Sequence, residues 1–288
     1  MGDPAGHAPH VTDAATPSIG LLGYGEAGHT FASAAGWEGR AAAFDIDDAR
    51  RSVMESDGVV PCADAAVAVE SAALVLSLVT ADAALKAARI AAASLQRGTL
   101  FCDMNSVAPG TKRAAAEAVH AAGGRYVDVA VLAPVNPARL RVPLLLAGPH
   151  ALAAADALAA AGFANLRVVG EQVGRASAIK MIRSVMVKGV EALTAEMMIA
   201  AEAAGVTDEV LASLDASDKS DPWAARAAYN VERMTTHGLR RAAEMAEVAR
   251  TLAELGVEPV MTSGTIDRQR QMAGRAADWR DLRKGGAE

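Results

Sequence analysis

An apolar run that ends in a glycine turn and opens straight into a helix admits few topologies, and Ile19-Gly20-Leu21-Leu22-Gly23-Tyr24-Gly25-Glu26-Ala27-Gly28 has that form. Gly23, Gly25 and Gly28 stand at Gly-x-Gly-x-x-Gly spacing, and each has its own task. Gly23 permits the tight turn, Gly25 lets backbone approach a pyrophosphate, and Gly28 lets the helix sit close to the strand. The helix N-terminus offers unpaired N–H groups to the anion, which makes Tyr24, Glu26 and Ala27 candidate cofactor contacts beside the glycines. Such a turn also joins strand to helix without any ligand, and related turns occur in methyl-transfer folds, so the acid after it matters. Asp45 ends the next apolar run, 17 residues beyond Gly28, where a carboxylate grips the adenine-ribose diol of NAD. Asp47 and Asp48 read instead as cap or surface acids. A carboxylate at Asp45 repels a 2′-phosphate and favours NAD, while Arg50 and Arg51 are near enough in sequence to admit NADP.

From Ser18 onward short apolar runs alternate with helical ones, the pattern of βαβ units around a parallel sheet. Strands are expected at Ser18 to Gly23, Ala41 to Asp45, Val59 to Pro61, Leu74 to Val79, Leu100 to Met104, Tyr126 to Val131, Leu144 to Ala147 and Leu166 to Val169. Helices are expected at Ala81 to Gln96, opened by Thr80, and from Pro109 to Ala122, where proline suits a first turn. After Gly174 strand signals stop, and one helix is expected from Arg175 to Ala204, a rod of about 45 Å at ~1.5 Å per residue, ended by Gly205. Beyond it Asp208 to Leu214, Trp223 to Thr236, Leu239 to Leu255 and Ile266 to Asp278 read as a small helical unit. The expected class is α/β plus all-α: a loose tail over residues 1–16, a dinucleotide-binding Rossmann domain over 17–173, an interdomain helix over 174–204 and a helical substrate or dimerisation domain over 205–288.

Composition narrows the function classes. A net charge of −6 gives no broad basic field, and 3% aromatics offer few stacking platforms, so neither nucleic acid nor an anionic membrane is the expected partner. Cys62 and Cys102 make no disulfide framework and no zinc spacing. The N-terminal text lacks the basic and apolar regions of a secretion signal, and every long apolar stretch is broken by charge, so a cytoplasmic, soluble protein is expected.

The order of motifs is similar to that of the β-hydroxyacid dehydrogenase superfamily, which includes 3-hydroxyisobutyrate and 6-phosphogluconate dehydrogenases. The resemblance covers residues 18 to 275 and rests on GLLGYGEAG, then LSLVT at Leu76 to Thr80, DMNSVAPGT at Asp103 to Thr111 and GRASAIKMIRSVMVKG at Gly174 to Gly189. The text from His237 to Pro259 resembles a branch with a divergent helical domain. The resemblance implies a Rossmann domain, a long interdomain helix, a helical domain that builds a homodimer, and an active-site lysine on the long helix, which Lys180 matches. On a helix Ser184 and Lys188 share its face, while Ile182 and Met186 pack elsewhere. Two positions depart from the family. Ser184 stands where asparagine is usual, a shorter side chain that reaches a substrate hydroxyl only at closer range or through water. After Asp128 the text runs Val129 to Pro134 in place of a Ser-Gly-Gly loop that holds the substrate carboxylate.

The implied chemistry is hydride transfer between a nicotinamide and the carbinol carbon of a small, anionic hydroxyacid or related alcohol. A base must take the hydroxyl proton as the carbonyl forms, and Lys180 is the candidate for both acid and base roles, with Ser184 beside it. Asn105 and Ser106 follow a strand's carboxyl end, where open α/β sheets place ligands, and Val79 and Thr80 occupy the corresponding place one strand earlier. Those four are expected to line cofactor or substrate. His237, Arg240 and Arg241 share one helical neighbourhood with Glu244, and an arginine fork suits a carboxylate; an exposed salt-bridged face would show the same spacing. The nearest alternative is imine reduction within the same superfamily, whose members often replace the lysine; a non-catalytic dinucleotide sensor is the other.

Overall fold

The computed structural model describes residues 18–217 and 223–275; the expected N-terminal tail and the last residues of the expected final helix lie outside them. Eight strands form one sheet: β1 (Ile19–Leu22), β2 (Ala41–Phe44), β3 (Val60–Pro61), β4 (Leu74–Ser77), β5 (Leu100–Asp103), β6 (Arg125–Val131), β7 (Leu144–Ala147) and β8 (Leu166–Gly170). Helices α1 (Glu26–Ala35), α2 (Arg50–Ser56), α3 (Ala65–Val69), α4 (Ala84–Ala92), α5 (Pro109–Ala121) and α6 (Ala151–Ala160) fill the connections. The order β3-β2-β1-β4-β5-β6-β7-β8 is a doubly wound Rossmann arrangement extended by two strands. β1 to β6 run parallel, but β7 pairs antiparallel with β6, Val131 opposite Leu144. The wholly parallel sheet expected from the alternation is therefore corrected: the connection from β6 to β7 carries no crossover helix, only a 3-10 turn at Arg139–Arg141, so the chain returns beside β6 in the opposite direction.

Strand side chains alternate between two apolar layers. Ile19, Leu21, Leu74, Leu76, Leu100 and Cys102 face one core with Phe31, Trp37 and Leu158. Leu22, Val75, Phe101 and Tyr126 face the other, against alanines of α3, α4 and α5. The alanine bias lets helices approach closely: a Cβ on Gly20 would lie 2.4 Å from the Ala68 carbonyl of α3. α4 begins at Ala84 without a side-chain cap, so Thr80 does not open it.

The contacts divide the chain into two compact units, one ending at Ser184 and one beginning at Val185, within the long helix α7 (Arg175–Ala204). The second unit continues with α8 (Thr207–Ser217), α9 (Trp223–Glu254) and α10 (Val260–Met272). α9 is one helix, not the two expected around Gly238. A Cβ there would lie 2.4 Å from the Gln269 carbonyl and 3.0 Å from Ala273 Cβ, so the glycine serves close packing of α9 on α10 instead of breaking the helix. No helix among the described residues is long and apolar enough to cross a membrane.

Candidate active site

Within the first unit the chain order reverses between β1 and β4, and open α/β sheets bind ligands at the carboxyl edge of such a switch. Two lobes open there. One, of about 450 Å³, is lined by Gly23, Gly25, Asp45, Ile46 and, across from them, Lys86 and Ile90 of α4. The other, of about 420 Å³, is lined by Glu26, Ala27, Asn105, Ser106, Pro134 and Lys180. Leu78, Val79 and Thr80 belong to both, which makes the end of β4 a ridge shared by one crevice.

The glycine turn is built for close approach. Gly23 adopts φ 92°, and a Cβ on it would meet the Leu78 carbonyl at 2.5 Å; one on Gly28 would meet the Gly23 carbonyl at 2.6 Å. Gly25 is different: a Cβ there meets nothing within 4 Å. It is the N-cap of α1 and no side chain caps that helix, so the first amides face open space, the arrangement that receives an anion. Asp45 Oδ2 accepts from the Tyr24 amide at 2.5 Å and Oδ1 from the Asp47 amide at 2.9 Å, which holds the carboxylate at the rim of the first lobe. Arg50 and Arg51 are engaged elsewhere, by Asp47 at 3.5 Å and Asp48 at 3.4 Å, and Arg51 also donates to the Cys62 carbonyl at 3.1 Å.

Two expected contacts fall away from the crevice walls. The Tyr24 ring is fully buried and its hydroxyl donates to Asp57 Oδ2 at 2.7 Å, with burial first and Asp57 second pushing the phenol above its usual range. Tyr24 supports the turn from beneath. Gly28 likewise acts through packing.

In the second lobe Lys180 Nζ donates to Ser106 Oγ at 2.5 Å. Asn105 is buried; its amide donates to Asp103 Oδ1 at 3.0 Å, its Nδ2 to Ser77 Oγ at 2.9 Å, and its Oδ1 has no partner. An orphaned acceptor on a cavity wall awaits a donor from a ligand. Ser184 does not reach this lobe: it is absent from the wall, and its hydroxyl donates to the Lys180 carbonyl at 2.9 Å, one turn back. His237, Arg240 and Arg241 belong to α9 in the second unit, where Arg241 is half-buried and the other two are exposed. The side chains of Lys188 and Glu244 lie outside the described residues.

Beneath the lobe sits a buried ion cluster that the sequence reading missed. Lys112, in the first turn of α5, is 0% exposed and donates to Asp103 Oδ1 at 2.9 Å, with Asp128 Oδ1 at 3.5 Å. Asp103 also accepts from the Tyr126 hydroxyl at 2.7 Å, and Asp128 Oδ2 accepts from the Gly174 and Ser177 amides at 3.0 Å each. One lysine thereby joins the loop that carries Asn105 and Ser106 to the start of the helix that carries Lys180. Its only signal in the sequence is a cation in a helix's first turn, where the dipole disfavours it. Lys86 was missed as well, since an exposed helix lysine looks like any other. Cys102 lies in β5, its thiol pushed up to about 12 by burial and then by the Asp103 charge, which makes it an inert core residue.

Residues 18–164 match the family described as the NAD binding domain of 6-phosphogluconate dehydrogenase, and residues 201–272 match a domain of unknown function, DUF1932. Among solved structures, a conserved hypothetical protein from Sinorhizobium meliloti 1021 is 37% identical, covering 96% of this chain and 92% of that one, with a TM-score of 0.60. A second protein of unknown function, described as structurally similar to 3-hydroxyacid dehydrogenases, is 29% identical over 94% of this chain and 99% of its own, with a TM-score of 0.58. An imine reductase from Myxococcus stipitatus in complex with NADP+ is 18% identical and shares the fold, with a TM-score of 0.73 over 93% of this chain and 95% of that one.

Proposed function

Because the chain belongs to the family defined by the NAD binding domain of 6-phosphogluconate dehydrogenase, we propose that it is an oxidoreductase acting on the CH–OH group of a small hydroxyacid or related alcohol, with NAD as the favoured cofactor. The residues present fit a dinucleotide. Open space at Gly25, the uncapped start of α1 and the Asp45 carboxylate suit the pyrophosphate and adenine ribose, and the orphaned Asn105 carbonyl suits a hydroxyl or carboxamide donor at the other end. Lys86 is a cation on the wall of the first lobe. When bound, the nicotinamide supplies or takes up the hydride.

The chain's own part is the proton. Lys180 as free amine takes the hydroxyl proton while the carbonyl forms; in the reverse direction its ammonium returns it. Ser106 holds Nζ in place and offers a hydroxyl to the same substrate oxygen. The single observation that carries this reading is the Lys180–Ser106 contact inside the lobe that also holds the Asn105 acceptor. The Asp45 carboxylate and the engagement of Arg50 and Arg51 with neighbouring acids support NAD over NADP. The same reading pairs two copies through the helical unit, on which Val190 and Ile199 are exposed; sedimentation at the monomer mass would dismiss that pairing.

Lys180→Met should lower turnover by about 10²–10⁴, the usual worth of a positioned acid or base, and leave dinucleotide affinity unchanged. The assay is NADH formation across a panel of hydroxyacids, with imine reduction by NADH in a parallel set. Undiminished turnover removes Lys180 from the mechanism, and activity confined to the imine set replaces the CH–OH assignment.

A further inference from the structure

The second unit contains a cavity of about 810 Å³ walled by α7, α9 and α10. Its polar side is Arg233 and Arg241 of α9 with Arg268 and Gln269 of α10, and Met186 and Leu193 of α7 form part of its apolar side. Gln269 is 7% exposed and its Oε1 has no hydrogen-bond partner; Arg233 Nε is likewise buried without one. The Arg233 guanidinium lies 5.7 Å from the centre of the Tyr229 ring, within cation–π range.

Three cations on one partly apolar space repel one another, and the half-buried Arg233 and Arg241 also lose hydration while Arg268 stays exposed, a cost that a nearby acid would normally offset. Among the described residues, two neighbouring acids are engaged elsewhere. Glu196 accepts from the Met261 amide at 2.6 Å and from the Thr262 amide and hydroxyl at 2.9 and 2.6 Å, and Asp267 faces Arg270 at 3.8 Å. Among the described residues no carboxylate lies within ion-pair distance of Arg233, Arg241 or Arg268.

We propose that this cavity is a binding site for a small organic oxyanion, a carboxylate or phosphate ester. Its charge is held by the forks of Arg233, Arg241 and Arg268, its hydroxyl or N–H donates to the Gln269 carbonyl, and its apolar body lies against Met186 and Leu193. Arginine is suited to this because its planar donors match two oxygens of one anion. The site makes no use of the redox reading and stands or falls apart from it.

The test is calorimetric titration of the full chain with phenyl phosphate, benzoate and phenol, repeated on Arg241→Gln and Arg268→Gln, each checked for unchanged NADH affinity and circular dichroism. The expected result is binding of phenyl phosphate or benzoate, whichever oxyanion the forks prefer, but not of neutral phenol, and a loss of about tenfold or more in each variant. Three results overturn the proposal: no binding of either anion at millimolar concentration, equal anion binding in both variants, or arginine variants that alter only the sedimentation coefficient, which would assign the cations to acids of a second copy. Failure of NADH to bind would count against the crevice in the first unit and leave this site standing.

Discussion

Replacing Lys112 by methionine removes the one cation within ion-pair distance of Asp103 and Asp128 among the described residues. The two acids stand opposite each other in the β5–β6 register and are 1% and 0% exposed. Methionine fills the volume, so the cost is electrostatic and not that of a cavity. Asp103 keeps the Tyr126 hydroxyl and the Asn105 amide, and Asp128 keeps the Gly174 and Ser177 amides. These bonds soften the loss without neutralising either charge. Breaking a buried pair by removing one partner costs about 3–5 kcal/mol, and with two carboxylates stranded the upper half of that range, about 4–5 kcal/mol, is expected. Urea unfolding followed by circular dichroism measures it. Adding Asp103→Asn to Lys112→Met should recover more than ~1 kcal/mol, since the two sites share one network. A loss below ~1 kcal/mol, or no recovery in the double variant, would refute the view that one lysine holds the two acids together.

Glu196 offers a pH-dependent test in the second unit. Burial alone would raise its carboxyl, but the Thr262 hydroxyl and the Met261, Thr262 and Val260 amides prevail and hold it below its ordinary value of 4.5. A depressed folded value means the stabilisation is complete above the ordinary value and is lost as pH falls through the folded one. Glu196→Gln should therefore cost less than ~1 kcal/mol at neutral pH, since solvent screens a part-exposed carboxylate, and the cost should shrink in acid, as thermal melts across the acidic range would show. The Tyr24 and Asp47 amides use the two different oxygens of Asp45, so Asp45→Asn keeps an acceptor for only one of them while deleting the charge that opposes a 2′-phosphate; the NADP-to-NAD affinity ratio should rise about tenfold, roughly 1.4 kcal/mol, and an unchanged ratio in paired titrations would place cofactor choice elsewhere.

The sheet was legible because its strands are short apolar runs buried on both faces and bounded by turn residues, as at Leu74–Ser77 and Leu144–Ala147. The glycine turn was legible for a related reason: each of its three positions answers a separate steric demand. Direction was harder to read. Leu144–Ala147 has the same apolar text whichever way it pairs, and only the missing crossover helix marks it as antiparallel. The helices expected at Trp223 to Thr236 and at Leu239 to Leu255 are one, because packing overrides propensity: Gly238 between them is the point where α9 and α10 touch. Lys112 escaped notice because burial of a charge depends on partners 9 and 16 residues away, brought beside it only when β5 and β6 pair. Tyr24 and Ser184 show the limit of reading a site by adjacency. The first sits inside the motif yet turns inward, and the second shares a helix face with Lys180 yet spends its hydroxyl on the backbone.

In the proposed function the crevice between β1 and β4 holds a dinucleotide with its pyrophosphate against the open face of Gly25. Titration of NADH fluorescence against the native chain and Gly25→Val tests it most directly. A Cβ there meets nothing within 4 Å, so the fold should survive while the anion's place is filled. Saturable NADH binding by the native chain is expected, weakened about tenfold or more, over ~1.4 kcal/mol, in the variant. Equal affinity in both proteins, or no binding of NADH or NADPH by the native chain, would contradict it.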